Sequence, residues 1–473
     1  MEQYKKMVYN ADLLVYNQKC NYSILLNSSY TIIEFIKKYL NSKLQIMDIK
    51  HICGLSEISD VSGVDYITDC DDDLDKNKDN KDDSDKKSES QDSFDTKYLY
   101  NSLDNYLFPL MAQIIKNNSD LPLNWTLWNN SNVTYTDYVP FIRDRPILIH
   151  NCYNNFDDKI KAEINALELL IIYKHLYETL FSVFVYTGYT AIRNKPIYAN
   201  QAYIVEAFIP SLGKVVNCAS VLYLGTNLSE KHNIRYDDTK FIYQVMSEFT
   251  SASLGISVLT HHDNKGIIFS PMIAPYQIVL ICNIDKYTDI SDMETYINSL
   301  FDLLIIWHIH IDNKDTDITI QDRIKYWTEK GTPIIMTVNK YNIDDKTVDV
   351  IRRDTCVTMT VNTDNLIIFI KELVQMLCTN MFNVSKKKTL ANSINIYSLD
   401  ELLKHKTQSK NIYLAKVCKT EICEEKVDSF GYGSVLCRPF IEELYNYEIT
   451  KISSCISCGC ELGINICIIG HRL

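Results

Sequence analysis

Seven cysteines crowd between residues 418 and 467. Four of them stand in two close pairs, Cys418-x4-Cys423 in VCKTEICEE and Cys455-x2-Cys458 in SSCISCGCELG. Two such pairs, about thirty residues apart, can converge as four thiolates on one tetrahedral ion, for which zinc is the usual choice. Cys460 is a second candidate for the fourth position. Elsewhere His261, His262 and Asp263 stand together in LTHHDNKG and have the residue types of a metal or acid–base cluster. His308 and His310 in WHIHID alternate along a predicted strand and share one face of it. As a metal pair they would need a third ligand.

The chain that must position these residues has 473 residues and a formal charge of −12. That length suffices for two or three domains with sizeable cores. The charge argues against a general polyanion binder, since phosphate contact needs concentrated Lys and Arg, although one domain could still carry a local basic face. No run of about 18 apolar residues occurs, so no membrane span is expected. MEQYKKMVYN lacks the apolar stretch of a secretory leader. Fifteen cysteines without such a leader point to reduced thiols and a metal, not a disulfide framework, and to the cytosol.

Residues 4–51 read as a helix, a hydrophobic segment and a long amphipathic helix in which Ile32, Ile33, Phe35, Ile36, Leu40, Leu44 and Ile46 recur at helical spacing. From 70 to 96 the sequence is charged, repetitive and nearly devoid of apolar side chains. It cannot offset its ordering entropy, so disorder is expected. NYLFPLMAQII fits either helix or strand. Ser251–Ile284 divides into an apolar run read as β (GISVLT), a polar turn (HHDNKG), a short strand (IIFS), a Pro-punctuated bend and the apolar run QIVLICNI, which suits a strand buried on both faces. From about 275 to 380 such strands alternate with amphipathic helices, predicting a small α/β domain with a mostly parallel sheet.

Several phrases are more specific than these patterns. Val205–Phe208, Leu224–Ser229 and the pair Asp237, Asp238 follow, in order, the Ile-Glu-Ala-Phe, Leu-Gly-Gln-Asn-Phe-Ser and acidic pair of prolyl-tRNA synthetase of the archaeal and eukaryotic type. HHDNKG and the bend after it resemble that family's His-Gly-Asp-(Asp/Asn)-x-Gly-Leu and Pro-Pro-Arg-x-Ala. Trp327–Pro333 resembles Trp-Glu-Leu-Lys-Gly-x-Pro, Ile351–Thr355 keeps Arg-Arg-Asp-Thr, and LCRPFI resembles Leu-Cys-x-Pro-Phe. The resemblance implies an α+β class II catalytic-like domain on an antiparallel sheet (1–274), an α/β anticodon-binding-like domain (275–385) and a small C-terminal zinc-binding-like domain (395–473). It implies a homodimer through the first class II motif, whose closing triplet falls here on Ile52, Cys53 and Gly54. It implies zinc on Cys418, Cys423, Cys455 and Cys458, with Cys437 in the core. The family hinge has His and Asp at two of positions 261–263, so that cluster reads as structural. Basic residues stand where His308 and His310 do, so these read as surface strand.

Catalysis in this family rests on arginines, one on the motif 2 strand that clamps the α-phosphate and one on the motif 3 helix that grips the far phosphates. IRDRPILIHN (Ile142–Asn151) resembles Arg-Asp-Leu-Pro-(Ile/Leu)-x-(Ile/Leu)-Asn-Gln. Aligned through it, the first arginine becomes Asp157, and the long loop with Phe-Leu-Arg and Glu-Phe-x-Trp-Gln-Glu is missing because Asp158 runs straight into a helix. The Thr-Ser-Glu that recognises proline falls on Asn129, Asn130 and Ser131. The His of Ser-His-x-Leu-Gly becomes Leu222, and the Gly and Arg of Trp-Gly-Leu-Thr-Thr-Arg become Glu248 and Ala252. ATP is not expected to bind beside such carboxylates. The expectation is a catalytically inactive synthetase-like protein kept to bind tRNA or a protein partner. The alternative is a divergent, active proline–tRNA ligase. In the anticodon-like domain the residue after Trp327 is Thr328, not Glu, and Gly-Pro-Arg-Asp reads Asn339, Lys340, Tyr341, Asn342. Lys330, Lys340, Arg352 and Arg353 leave a positive patch, read as a solvated strand-end cluster or a weak tRNA contact.

Overall fold

The structure, a computed structural model, describes residues 1–17, 22–53, 104–131, 137–144, 147–283, 289–313, 318–404, 410–431, 433–440, 444, 454–461 and 464–473. The charged stretch 70–96 lies outside them. The N-terminal part comprises α1 (Glu2–Asn10), the hairpin β1 (Leu14–Asn17) and β2 (Tyr22–Leu25), α2 (Asn27–Ile46), β3 (Lys50–His51) and α3 (Asp104–Ile114). In α2 Ile32, Ile33, Ile36, Leu40 and Leu44 of the expected stripe are buried and Phe35 is half-buried, but Ile46 is 81% exposed, because the helix runs past the surface it packs on.

Next come β4 (Leu123–Ser131), β5 (Ile147–Phe156), α4 (Lys159–His175), β6 (Tyr186–Thr190), β7 (Gln201–Ile209), β8 (Lys214–Gly225), α5 (Asn227–Lys231), the hairpin β9 (Arg235–Asp237) and β10 (Lys240–Phe241), β11 (Tyr243–Thr250) and α6 (Ala252–Thr260). The sheet runs β6-β7-β8-β11-β5-β4-β3, antiparallel except for β3 on β4. One face packs under α4, α1 and α2. On the other face a cross-strand row of Trp125, Tyr153, Met246, Leu222 and Ala202 is covered by Leu107, Phe108 and Met111 of α3, with the Phe108 ring edge-on to Tyr153 at 6.3 Å. The run GISVLT, read as β, lies in α6. Every residue of α6 is buried, so the helix shows no polar face, and periodicity cannot tell it from a buried strand.

A small hairpin, β12 (His262–Asp263) and β13 (Gly266–Ile267), leads to β14 (Ile278–Cys282), α7 (Ile290–Leu303), β15 (Ile309–Asp312), α8 (Ile320–Glu329), β16 (Ile334–Val338), α9 (Lys340–Asp345), β17 (Thr347–Arg352), β18 (Thr358–Asn362) and α10 (Leu366–Ala391). The sheet order is β15-β14-β16-β17-β18. It is mixed, not mostly parallel: β15, β14 and β16 are parallel, while β17 and β18 turn back antiparallel. The single short helix α9 before β17 is too brief for a parallel crossover. By length and composition alone, Thr363–Ala391 is apolar enough to cross a membrane, with a mean hydropathy of 1.3. Its Leu366, Ile370, Leu373 and Leu377 are spent in the core of this domain.

The last elements are β19 (Ser393–Asn395), α11 (Leu399–Lys404), β20 (Ile412–Cys418), α12 (Glu421–Ser429), β21 (Ser434–Pro439) and β22 (Ile464–Arg472). They do not form a separate sheet. In the order β19-β20-β22-β21 they extend the central sheet through β21 on β6, making eleven strands among the described residues. Gly188 permits this junction, since a Cβ there would lie 2.1 Å from the Arg438 carbonyl oxygen.

Candidate functional site

The sheet corrects the alignment of the motif 2 region. β4 and β5 form an antiparallel hairpin, from Leu123 opposite Asn155 to Ser131 opposite Ile147. Asp120-Leu121-Pro122-Leu123 leads into the first strand and spells the family's Asp-Leu-Pro-(Ile/Leu). Phe141-Ile142-Arg143 leads into the second and resembles its Phe-Leu-Arg. The strand–loop–strand is therefore present, not deleted. Asp157 ends the second strand. Its carboxylate accepts from Lys161 Nζ at 3.0 Å, next to Asp158, which caps α4 by accepting from the Lys161 amide at 2.9 Å. Counted from Asp-Leu-Pro, the position assigned to Asp157 moves to Val133, outside the described residues. Asn129, Asn130 and Ser131 belong to the first strand. The Thr-Ser-Glu triplet precedes that phrase in the family's order, so they are not its counterparts. Asp-x-Pro occurs twice, at 120–122 and 144–146, and only strand pairing distinguishes the two.

Three of the expected departures, Leu222, Glu248 and Ala252, belong to β8, β11 and the start of α6. Leu222 is 2% exposed inside the α3 cluster. Glu248 lies one row along on the same face, between Asn151 and Ser220. Ala252 is buried as the first residue of α6. Neither a guanidinium nor an imidazole therefore stands at these positions, and a half-buried carboxylate does. Beneath the same strands, on the α4 side, lies a polar network that the sequence reading missed. His150 Nε2 sits 2.6 Å from Thr126 Oγ1, and Tyr173 OH lies 2.8 Å from Ser247 Oγ and 3.4 Å from His150 Nδ1. Burial, helped by the charge of His51, pushes His150 down to about 3, so the ring is neutral.

The four cysteines of the two close pairs do converge. The Sγ atoms of Cys418, Cys423, Cys455 and Cys458 all lie within 4.8 Å of one another, and those of Cys418 and Cys458 are 3.5 Å apart. Metal–sulfur bonds of about 2.3 Å put tetrahedral sulfurs about 3.8 Å apart, so the set fits one ion. The end of β20 and the first turn of α12 supply the first pair, and the turn at 455–458 supplies the second. Although burial raises it, backbone N–H groups at Cys418, Cys458 and Ser457 bring the Cys455 thiol down to about 7. Cys460 contributes its carbonyl oxygen, which accepts from the Cys455 amide at 2.9 Å, and Cys437 is buried in the core.

The basic residues do not form a solvated patch. Arg353 is 2% exposed and grips both carboxylate oxygens of Asp263 at 2.7 Å, donating also to the Thr328 and Gly266 carbonyls. Arg352 is paired with Asp354 at 2.8 Å and Lys330 with Asp12. Only Lys340 of the four is exposed, at the start of α9. His261 is buried and donates to the Ser182 carbonyl at 3.0 Å, and His262 to that of Val258 at 3.1 Å. Asp263 belongs to the arginine. These three are structural, as the resemblance implies. His308 is exposed beside edge strand β15, against the Phe35 ring, while His310 packs on Tyr276 and Trp327.

Comparison with known proteins agrees with this architecture. Residues 277–373 match the family model of the anticodon binding domain. A crystal structure of prolyl-tRNA synthetase from Cryptosporidium parvum, complexed with L-proline and AMP, superposes with a TM-score of 0.83 at 20% identity, covering 99% of this chain and 94% of that one. The fold is that of a class II aminoacyl-tRNA synthetase carrying an anticodon-binding domain. The chain is 27% identical to the cytoplasmic proline–tRNA ligase of Arabidopsis thaliana over 370 residues, 75% of this chain and 68% of that protein. It is 26% identical to proline–tRNA ligase of Natranaerobius thermophilus, over 72% and 69% of the two chains. Its homologues are prolyl-tRNA ligases.

Proposed function

We propose that this chain is a prolyl-tRNA synthetase homologue that no longer activates proline and serves as a binding or scaffold protein. The observation that carries this reading is the filled face of the catalytic-like sheet. Leu222 is packed under Phe108 and Met111, Glu248 projects a carboxylate beside it, and α6 begins with Ala252. Val133 stands at the re-aligned motif 2 position. Removing one well-placed charge donor commonly costs about 10²–10³ in rate, and two arginines and a histidine are replaced here. The test is proline-dependent exchange of pyrophosphate into ATP, with calorimetry of ATP binding alongside. No exchange and no ATP heat are expected. Exchange by the unmodified protein, abolished by Glu248→Lys, would establish the divergent ligase instead.

The four-cysteine set supports zinc as the bound ion. All four positions are protein thiolates, so the ion would supply folding energy and no open site for substrate. Retention of tRNA is proposed only as weak and salt-sensitive, since Lys340 alone of the four basic residues faces solvent. A dimer through α2, a protein partner and a cytosolic location complete the reading.

A further inference from the structure

Two hairpins from different domains meet tip to tip beside the Asp263–Arg353 pair. In the first, Asp263 Oδ1 accepts from the amides of Lys265 (2.8 Å) and Gly266 (3.1 Å), which fixes the backbone of the β12–β13 turn. In the second, the Cys356 amide donates to the Arg352 carbonyl (2.8 Å) and the Arg352 amide to that of Val357 (3.0 Å), which holds Cys356 at the tip of β17–β18 with φ +58°. The bidentate ion pair joins the two turns. Across that junction Lys265 Nζ donates to Cys356 Sγ at 3.1 Å, with both side chains exposed. An ammonium in contact with an accessible sulfur is the arrangement in which a thiol is readily oxidised.

We propose that Lys265 and Cys356 form a peroxide-sensitive modification site that closes a covalent sulfur–nitrogen link between the catalytic-like and anticodon-binding domains. The Cys356 sulfur, reacting as its thiolate, attacks hydrogen peroxide. An S–O bond forms, the O–O bond breaks, and the departing hydroxide takes a proton from the Lys265 ammonium to become water. The freed amine attacks the sulfenic sulfur, an N–S bond forms, and the S–OH oxygen leaves as a second water with another lysine proton. One thiolate, one ammonium and one peroxide thus give one sulfenamide and two waters. Sulfur loses the two electrons that peroxide gains. A dithiol reductant reverses the link, as for sulfenamides closed on a backbone nitrogen. The link would bridge 91 residues of sequence and lock the hinge.

The test treats the full-length, metal-loaded protein with graded hydrogen peroxide and maps its peptides by mass. The expected result is a Lys265 peptide joined to a Cys356 peptide, lighter than their sum by two hydrogens and released by dithiothreitol. Lys265→Arg keeps the cation but removes the nucleophilic amine. It should lose the joined peptide and gain several-fold in dimedone labelling at Cys356. Cys356→Ser should show neither product. Both side chains are at the surface, and circular dichroism checks that the variants fold. No joined peptide in the unmodified protein, or equal dimedone labelling with and without Lys265, would overturn the proposal.

Discussion

A few side chains decide most of the chemistry available to this chain, and they are testable one at a time. Cys418 is buried at the end of β20 and lies within reach of three other thiols. Cys418→Ser should release the metal and destabilise the last four strands, as elemental analysis of protein purified without added metal would show. Unchanged metal content would assign the ligands elsewhere. His150 gives a pH signature. Its folded pKa is about 3 against about 6.5 in the unfolded chain. The stability that its neutral form contributes is complete above pH 6.5 and is lost as pH falls from there toward 3. The slope is about 1.4 kcal/mol per pH unit for one proton. Urea titrations between pH 7 and 5 should show this slope, and His150→Gln should reduce it whatever it does to stability at pH 7. Some slope should persist, because burial also pushes His261 down, to about 4.

At the scale of elements, two adjacent acidic residues open α4 and have different work. Asp158 caps the helix, while Asp157 makes a largely solvated pair with Lys161. Asp158→Ala should cost about 1 kcal/mol. Asp157→Ala should stay within about 0.5 kcal/mol by urea titration, since it stands at a helix start in a largely solvated pair. A cost as large as that of Asp158→Ala would mean that Asp157 does more than pair with Lys161. α3 matters for a different reason. Its Phe108 and Met111 lie in the apolar cluster that covers one face of the strands.

Buried charges join distant parts of the molecule. Arg353 to Asp263 ties the anticodon-binding domain to the hinge. Arg438 to Glu424 sits within the C-terminal module, and Glu424 also accepts from the amides of Ile192 and Arg193, fixing that module to the central sheet. Arg472 reaches buried Glu206 at 2.6 Å, where burial raises the carboxyl pKa and the guanidinium lowers it. Asp263→Asn strands a buried guanidinium, and removing one partner of a buried pair costs about 3–5 kcal/mol. Limited proteolysis should then cut the joint between the two domains sooner than in the unmodified protein. An unchanged rate of cleavage would mean that the apolar contacts of the hinge suffice.

The sequence by itself determined the elements with strong periodicity, the synthetase-like fold with an anticodon-binding domain, the cysteines that meet and the structural role of His261 and His262. These follow from local patterns and from phrases long enough to be specific. It did not determine which of two Asp-x-Pro phrases begins the motif 2 hairpin, because that depends on which strand lies beside β11, a pairing between residues far apart in the chain. Nor could it tell α6 from a strand, since a segment buried on all sides carries no polar stripe. The fate of the arginines was equally hidden. Arg352 and Arg353 look alike as neighbours, yet one pairs with Asp354, two residues on, while the other is buried against Asp263, ninety residues away. Only the tertiary structure places that carboxylate there, and a charge is buried or solvated according to what meets it in space.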